Sequence, residues 1–525
     1  MKAVLRVAAL LAAVIGWASP SYSQGGTSST LSGVVVDSSG AVIPGADVVA
    51  KQISTAVVTS AVSNAEGLFS FPGLNVGTYT VTVSLQGFKT YTATDVVLTS
   101  GAGANVRVVL EVGGLEEQVT VISQSEILQT QTSHISTTIN SNQILKLPLT
   151  TRAALDFVAM MPGVTSAAGN RDSTINGLPR GTINITLDGV NVQDNTLRST
   201  DGFFAIVNPR LDAMEEVTVT TAAQGADAGG QGAVQVKFVT RSGGNKFNGS
   251  AYYYYRNDKL NANTWFNNRN GIAKPKLLQN QGGFRAGGPI VIPKMFDGHN
   301  KAFFFVNYEE SRQPSDTTRN RIVLNTDAQL GIFRYPGAGG AVQTVNLLQL
   351  AAANGQLAAA DPTFVKMLAD IRAATGKTGT LAVVDPNLER YTYNLSVTSL
   401  RRYPTWKVDY NVTNNHRLTS AFNYQYFTDT PDTLNNRDAA FPDFPVEAGQ
   451  ASKRLGWSNT LRSTLSPNMI NEGRVGYSWA PVTFFGELSS DMYTGPVANQ
   501  GGFHINFPTI NSALTAAGNG APAPQ

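Results

Sequence analysis

The chain of 525 residues contains no cysteine. Disulfides, thiolate nucleophiles and cysteine-ligated zinc or iron–sulfur sites are excluded with it. Charge is scarce as well: Asp, Glu, Lys and Arg make up 14% of the chain, against roughly 25% in an ordinary soluble domain. The formal net charge is only +3, so no electrostatic footprint points to nucleic acid. Histidine occurs at four positions, His134, His299, His416 and His504, and none opens a His-Glu-x-x-His zinc motif. No nucleophile–base pair, metal cluster or paired-carboxylate motif stands out, so the chain is not expected to be an enzyme and no cofactor is expected. Beyond the N-terminal region no apolar run reaches 18 residues, so no membrane-spanning helix is expected.

What is abundant is glycine, 50 residues, and aromatics, 9% of the chain, a mixture suited to β-structure with many turns and apolar outward surfaces. The N-terminus has a basic start, Lys2 and Arg6, then an apolar run from Val7 to Ala18, then small residues ending in Ser21-Tyr22-Ser23. This is the layout of a secretory signal, too short to span a membrane, with residues 1–23 removed by cleavage near Ser23. An exported chain without a helical anchor is periplasmic, secreted, or inserted as a β-barrel.

Residues 28–112 carry short alternating runs between turn signals. Leu31 to Val36 precedes the turn Asp37-Ser38-Ser39-Gly40; Asp47 to Lys51, Ala56 to Val62 and Leu68 to Phe71 follow. In Tyr79-Thr80-Val81-Thr82-Val83 the apolar residues share one face and the threonines the other. Short, evenly spaced strands of this kind predict a β-sandwich. Gly33-Val-Val-Val-Asp37, Ile43-Pro-Gly-Ala46, Gly67-Leu-Phe-Ser-Phe71, Gly77-Thr-Tyr79 and Gly87-Phe88 together resemble the carboxypeptidase regulatory-like domain, a prealbumin-like sandwich. None of the four histidines falls in this segment, so it is expected to be an accessory module rather than a peptidase.

Gly113-Gly114 opens a linker, 113–125, holding the segment Glu116, Glu117, Gln118, Val119, Thr120 and Val121. An exposed strand there would add to the edge of a partner's sheet; by itself it fits a strand opening a domain equally well. In 126–244 a helix is expected from Arg152 to Met160, bracketed by Leu147-Pro-Leu149 and Met161-Pro-Gly163, and strands at Ile183 to Leu187, Glu216 to Thr220 and Val234 to Thr240. The glycine-rich stretch Gly225 to Gly232 is followed by no Lys-Ser/Thr pair, so it is no nucleotide loop. Arg180-Gly181, Leu187-Asp188-Gly189-Val190, Met214-Glu-Glu-Val217 and Val239-Thr-Arg-Ser-Gly-Gly244 resemble the plug domain of TonB-dependent outer-membrane receptors. The resemblance implies that Glu116 to Val121 is the TonB box, the peptide that pairs with a TonB-type energy-coupling protein in the periplasm. A sandwich ahead of a plug, followed by Gly287-Gly-Pro-Ile290, looks most like the Oar-like branch of that family.

Residues 245–525 can be read without the family. Trp406, Val408, Tyr410 and Val412 alternate with Lys407, Asp409 and Asn411. Leu418, Phe422, Tyr424 and Tyr426 oppose Arg417, Thr419, Asn423 and Gln425. Leu455, Trp457, Leu461 and Leu465 oppose Ser458, Thr460, Arg462 and Thr464, and Val475, Tyr477 and Trp479 oppose Glu472, Arg474 and Ser478. Apolar-out, polar-in dyads rich in Tyr and Trp mark a wall facing outer-membrane lipid. Strands are expected at 247–256, 279–290, 301–312, 401–411, 417–428, 453–465 and 469–480. Their connections alternate between long (257–278, 313–400, 429–452) and short (291–300, 412–416, 466–468), as extracellular loops alternate with periplasmic turns. Within 313–400 the Ala-rich stretch Leu347 to Ala374 is expected to be partly helical. About seven strands are a third of the roughly 22 in a plugged transporter, and the end, Ala521-Pro-Ala-Pro-Gln525, carries no closing strand. The expectation is a partial reading frame or a fragment of a longer chain.

The predicted fold is therefore mainly β: a sandwich, an α+β plug, and the first part of an antiparallel barrel. The predicted location is the outer membrane, with sandwich and plug on the periplasmic side. Two functions fit, uptake of an extracellular ligand powered through TonB, and surface binding or adhesion without transport. No motif names the ligand.

Overall fold

The structure is a computed structural model that describes residues 28–100, 103–113, 118–122, 135–146, 151–161, 163–165, 173–194, 204–222, 234–435, 437–444, 448–466 and 469–485. The signal segment 1–23 with its cleavage position Ser23, together with Glu116, Glu117 and the glycine-rich stretch Gly225 to Gly232, lies outside the described residues.

The first unit is a sandwich of β1 (Ser28–Asp37), β2 (Asp47–Gln52), β3 (Val58–Val62), β4 (Leu68–Asn75), β5 (Gly77–Ser84), β6 (Thr90–Leu98), β7 (Ala104–Leu110) and β8 (Gln118–Ile122). One sheet has the order β4-β1-β7 and the other β3-β2-β5-β6-β8. Period two explains the burial: Tyr79, Val81 and Val83 point into the core with Leu31, Val35 and Phe71, and the threonines of β5 lie nearer the surface. Strand β8 is a departure from expectation. The segment taken as linker pairs in parallel with β6, from Thr90 beside Gln118 to Thr94 beside Ile122, and becomes the fifth strand of a sheet. Val119 and Val121 come into register with Tyr91 and Ala93, both part of the sandwich core.

The second unit is built on β9 (Ile135–Asn140), β10 (Val164–Thr165), β11 (Thr174–Ile175), β12 (Ile183–Leu187), β13 (Val190–Asn191), β14 (Met214–Ala222) and β15 (Val234–Thr240). Its main sheet runs β13-β12-β15-β14-β9. The helix expected over 152–160 contracts to Leu155–Val158. The reason is local: Arg152 adopts a left-handed backbone, φ 53°, and its guanidinium is drawn to Asp212 instead of continuing a helix face. The core of this unit, including Ile185, Val217, Val236 and Phe238, also takes in Phe305 from the third unit.

The third unit is one antiparallel sheet. Its strands are β16 (Asn248–Asn257), β17 (Leu278–Pro289), β20 (Ala302–Leu324), β24 (Leu388–Asn411), β25 (His416–Thr430), β26 (Gly449–Ser466) and β27 (Met469–Trp479), in that order across the sheet. Short hairpin strands β18 (Val291–Ile292) and β19 (Phe296–Asp297) fill the turn before β20, β21 (Ile332–Pro336), β22 (Val342–Asn346) and β23 (Thr380–Val383) lie between β20 and β24, and β28 (Val482–Phe485) pairs with β26. Lys407 and Asp409 are buried on the face turned to the second unit, while Trp406, Trp457 and Tyr477 are exposed on the other. Long and short connections alternate as expected. Strands β20 and β24 nevertheless outrun their predicted ends, since 313–324 and 388–400 are paired strand and not loop. Residues 315–321 of β20 are polar on both faces, so they lack the apolar alternation that marks lipid contact, and in β24 the alternating Tyr391, Tyr393 and Val397 are buried. A crossing needs about 9–11 residues, and β20 has 23, so about half of this hairpin stands clear of the bilayer. At its tip are the helices Leu347–Ala353 and Pro362–Thr375, capped by Asn346 and Asp361. The second helix packs Ile371 and Ala374 against Tyr391, Tyr393 and Phe441 in a small core of its own.

Candidate functional site at the plug and barrel interface

No main-chain ladder joins the second unit to the third among the described residues; each sheet is complete within itself. The two are held together by side chains. At the centre is Glu309 on β20, with no solvent exposure. Arg210 Nε donates to its Oε1 at 2.6 Å, Gln281 Nε2 donates to the same atom at 2.9 Å, and the Tyr252 hydroxyl donates to Oε2. Arg152 approaches Oε2 at 3.7 Å and donates to Asp212. Its guanidinium lies 4.4 Å from the ring of Tyr252 and 4.5 Å from that of Tyr254, and Arg210 lies 4.5 Å from the ring of Tyr403. Two arginines against two carboxylates leave the cluster neutral, which is the condition under which buried charge is tolerated. Strand register creates the opening: Gly283 sits directly opposite Glu309, and a Cβ at Gly283 would come within 2.5 Å of the Tyr252 hydroxyl.

A second contact is made by the turn Asp188-Gly189, which sequence singled out. Asp188 is buried and accepts from the Thr240 amide at 2.9 Å and the Thr240 hydroxyl at 2.5 Å. Lys407 Nζ stands 3.8 Å from its Oδ1 and donates to the Thr240 carbonyl at 2.8 Å. The Ser458 hydroxyl donates to the Asp188 carbonyl at 2.9 Å. Gly189 has φ 77°, and a Cβ there would collide with the Arg474 guanidinium. Beside this turn Asp409 pairs with Arg417 at 2.9 Å. Arg180 and Gly181 form a short 3₁₀ turn leading into β12.

The sandwich closes the assembly from the other side. Ser100, just past β6, donates its amide to Glu216 of β14 at 2.8 Å. Burial pushes the Glu216 carboxyl above its ordinary value, against the opposing hydrogen bonds from Ser100. Asn245 donates its amide to the Ser54 carbonyl at 2.8 Å, and Arg462 donates to the Asn75 side chain at 3.1 Å. A polar cavity of 340 Å³ lies where the three units meet, with Asp188, Arg241, Arg285, Lys407 and Asp409 in its wall.

Sequence reasoning found Asp188 and Gly189 but missed Glu309, Arg152 and Arg210. Their one local signal is that Glu309 falls at an inward position of an aromatic-rich strand. Of the expected box residues, Gln118 to Val121 lie in β8. His299 hydrogen-bonds Asp297 and His416 lies 2.9 Å from the Ser463 hydroxyl. Among the described residues no group of three His, Asp or Glu could hold a metal ion.

A small domain seated against the polar face of a lipid-facing β-wall defines a plugged outer-membrane barrel protein. Comparison with known proteins carries this to a family. Residues 239–525, more than half of the chain, match the Outer membrane beta barrel domain, residues 128–234 the TonB-dependent Receptor Plug Domain, and residues 30–111 the Carboxypeptidase regulatory-like domain. The chain belongs to the family of TonB-dependent outer-membrane receptors. It is 25% identical over 318 residues to the TonB-dependent transporter Oar of Myxococcus xanthus, a match that takes in 58% of this chain and 29% of that protein. This chain thus spans under a third of the length of that relative. Similar solved structures include a ferric enterobactin receptor of Pseudomonas aeruginosa (13% identity, 67% of this chain and 42% of that one, TM-score 0.38) and the outer membrane transporter YddB of Escherichia coli (12%, 65% and 38%, TM-score 0.40).

Proposed function

We propose that the chain serves active uptake: a ligand is taken at the extracellular hairpin, the plug lets go of the barrel wall, and the work is supplied by a TonB-type protein acting on Glu116 to Val121. One observation carries the reading. Among the described residues no β-ladder joins the plug to the wall, so the plug can leave without breaking one. The buried groups it would uncover, Glu309 and Asp188, make spontaneous release costly, by several kcal/mol for each broken buried pair. A closed plug that needs an external input is what energised transport requires. The relative Oar is described as a TonB-dependent transporter, which supports this class of activity. The ligand stays unassigned.

Deleting Glu116 to Val121 tests the reading. Uptake should fail while ligand still binds to cells. Undiminished uptake would overturn energised transport, and binding without any uptake in the undeleted protein would favour a surface-binding role.

A further inference from the structure

The segment Val239-Thr-Arg-Ser-Gly-Gly244 holds a charge that the plug and wall contacts above leave unused. Arg241 follows the last plug strand, β15, and its amide donates to the Ala213 carbonyl at 2.9 Å. The residues after it press on the wall: a Cβ at Gly243 would come within 2.8 Å of the Gly288 carbonyl. From this fixed backbone the Arg241 side chain reaches the 340 Å³ cavity, whose wall also holds Arg285 of β17. The two guanidiniums are poorly compensated. Arg241 lies 3.7 Å from Glu215, a carboxylate 38% exposed. Arg285 donates to the Ser250 hydroxyl at 2.9 Å and pairs with no carboxylate among the described residues. Burial holds the Arg241 guanidinium below its ordinary value, and the like charge of Arg285 pushes the same way against Glu215. Donors are also left over. Arg241 Nε and Nη2 and Arg285 Nη1 are shut off from solvent without a hydrogen-bond partner. Asn307, the register partner of Arg285 on β20, is 2% exposed, and its side-chain amide is unpartnered as well. Buried donors in this state are destabilising unless something accepts from them.

We propose that the cavity at Arg241 and Arg285 is a binding site for one small oxyanion of the phosphate or sulfate class, which ties the end of the last plug strand to the wall. A guanidinium presents a planar fork of donors that matches such an anion. One anion answers both observations at once: it accepts from the leftover donors and neutralises two like charges. Water does only the first. The volume falls within the about 300–1,000 Å³ of ordinary small-ligand sites. The other charges of the cavity are matched, Lys407 with Asp188 and Arg417 with Asp409. Asp409 has one unpartnered oxygen, but it stands apart from the site. Arg285 is in register with Asn307 and through it with Thr405, two strands across, and Asp409 lies four residues further along that strand. The cavity is on the face of the wall opposite the exposed Trp406 and Tyr477, so its anion comes from solution and not from a lipid headgroup. The site does not depend on transport. It needs only the closed plug, and it makes that closed state sensitive to the anion.

The test is calorimetric titration of the full chain in detergent with sodium phosphate, sodium sulfate and sodium chloride, at constant ionic strength in a buffer without oxyanions. The expected result is saturable binding of phosphate or sulfate and only dilution heat from chloride. Arg285→Gln should weaken that binding by at least about tenfold. Arg312→Gln removes an exposed charge from the same wall outside the cavity, and its dissociation constant should stay within about twofold of the native value. Thermal unfolding gives a second readout: the bound anion should raise the melting temperature of the native protein and of Arg312→Gln, but not of Arg285→Gln. If Arg285→Gln does not fold, Arg241→Gln makes the same comparison. Phosphate and sulfate heats equal to those of chloride would overturn the proposal, since the leftover donors would then be hydrated and nothing more. Equal binding by native protein and Arg285→Gln, or equal weakening in Arg285→Gln and Arg312→Gln, would overturn it too.

Discussion

Arg210 and Glu309, far apart in sequence, meet at 2.6 Å across the boundary between plug and wall, with Glu309 fully enclosed. The pair holds together two sheets that share no ladder. It is supported by Tyr252 and Gln281 from two neighbouring strands of the wall, so the wall presents a prepared carboxylate and the plug supplies the cations.

Gly283 should be intolerant of a side chain. Gly283→Ala places a Cβ within 2.5 Å of the Tyr252 hydroxyl and 2.7 Å of the Tyr308 carbonyl. Overpacking of this kind costs about 1–3 kcal/mol. The expected outcome is a lower melting temperature in detergent, with loss of the Tyr252 contact to Glu309.

The Asp188-Gly189 turn should be as sensitive for a different reason. Asp188→Ala leaves the Thr240 amide and Lys407 without their carboxylate, at a cost of about 3 kcal/mol. Gly189→Ala meets both the positive φ and Arg474, at about 1–3 kcal/mol. Each should speed proteolysis of the plug while leaving wall strands β25 and β26 protected.

Stability of the folded plug should depend on pH through Glu216. Its folded-state pKa is raised by burial, so its contribution to the folded state is fully present below the ordinary glutamate value. That stability is lost as pH rises through the higher, folded value. Glu216→Gln keeps an acceptor for the Ser100 amide and removes the charge. Melting temperatures in detergent should fall less steeply with rising pH in Glu216→Gln than in the native protein.

The extracellular tip should unlock separately. Asp438 accepts both Nε and Nη2 of Arg319, at 2.9 and 2.8 Å, and lies 3.3 Å from Arg321 Nη2. Asp438→Ala strands two arginines, at about 3–5 kcal/mol. Residues 431–444 should become protease-sensitive with the plug contacts unchanged.

Much of the fold was legible because period-two alternation gives many strands one wet and one apolar face, as in Trp406 to Val412. The outer half of β20 escaped because residues such as Thr317, Arg319 and Asn320 are polar on both faces, and polar strand reads as loop; the outer half of β24 was passed over although Tyr391, Tyr393, Leu395 and Val397 alternate. Strand β8 showed its alternation, but not its partner: a parallel pairing with β6 crosses the whole of β7. The site was half legible. Asp188-Gly189 is a local turn signal, whereas Glu309 acquires meaning only through Arg210 and Arg152, which the fold brings to it.

The most direct measurement is a double-mutant cycle on Arg210 and Glu309, read by amide hydrogen exchange of β12 and β15 in the full chain. If the pair holds plug to wall, Arg210→Ala and Glu309→Ala each lower protection by about 3–5 kcal/mol, and the double variant falls short of their sum by more than about 1 kcal/mol. Additive losses, or single variants with native protection, would contradict the account.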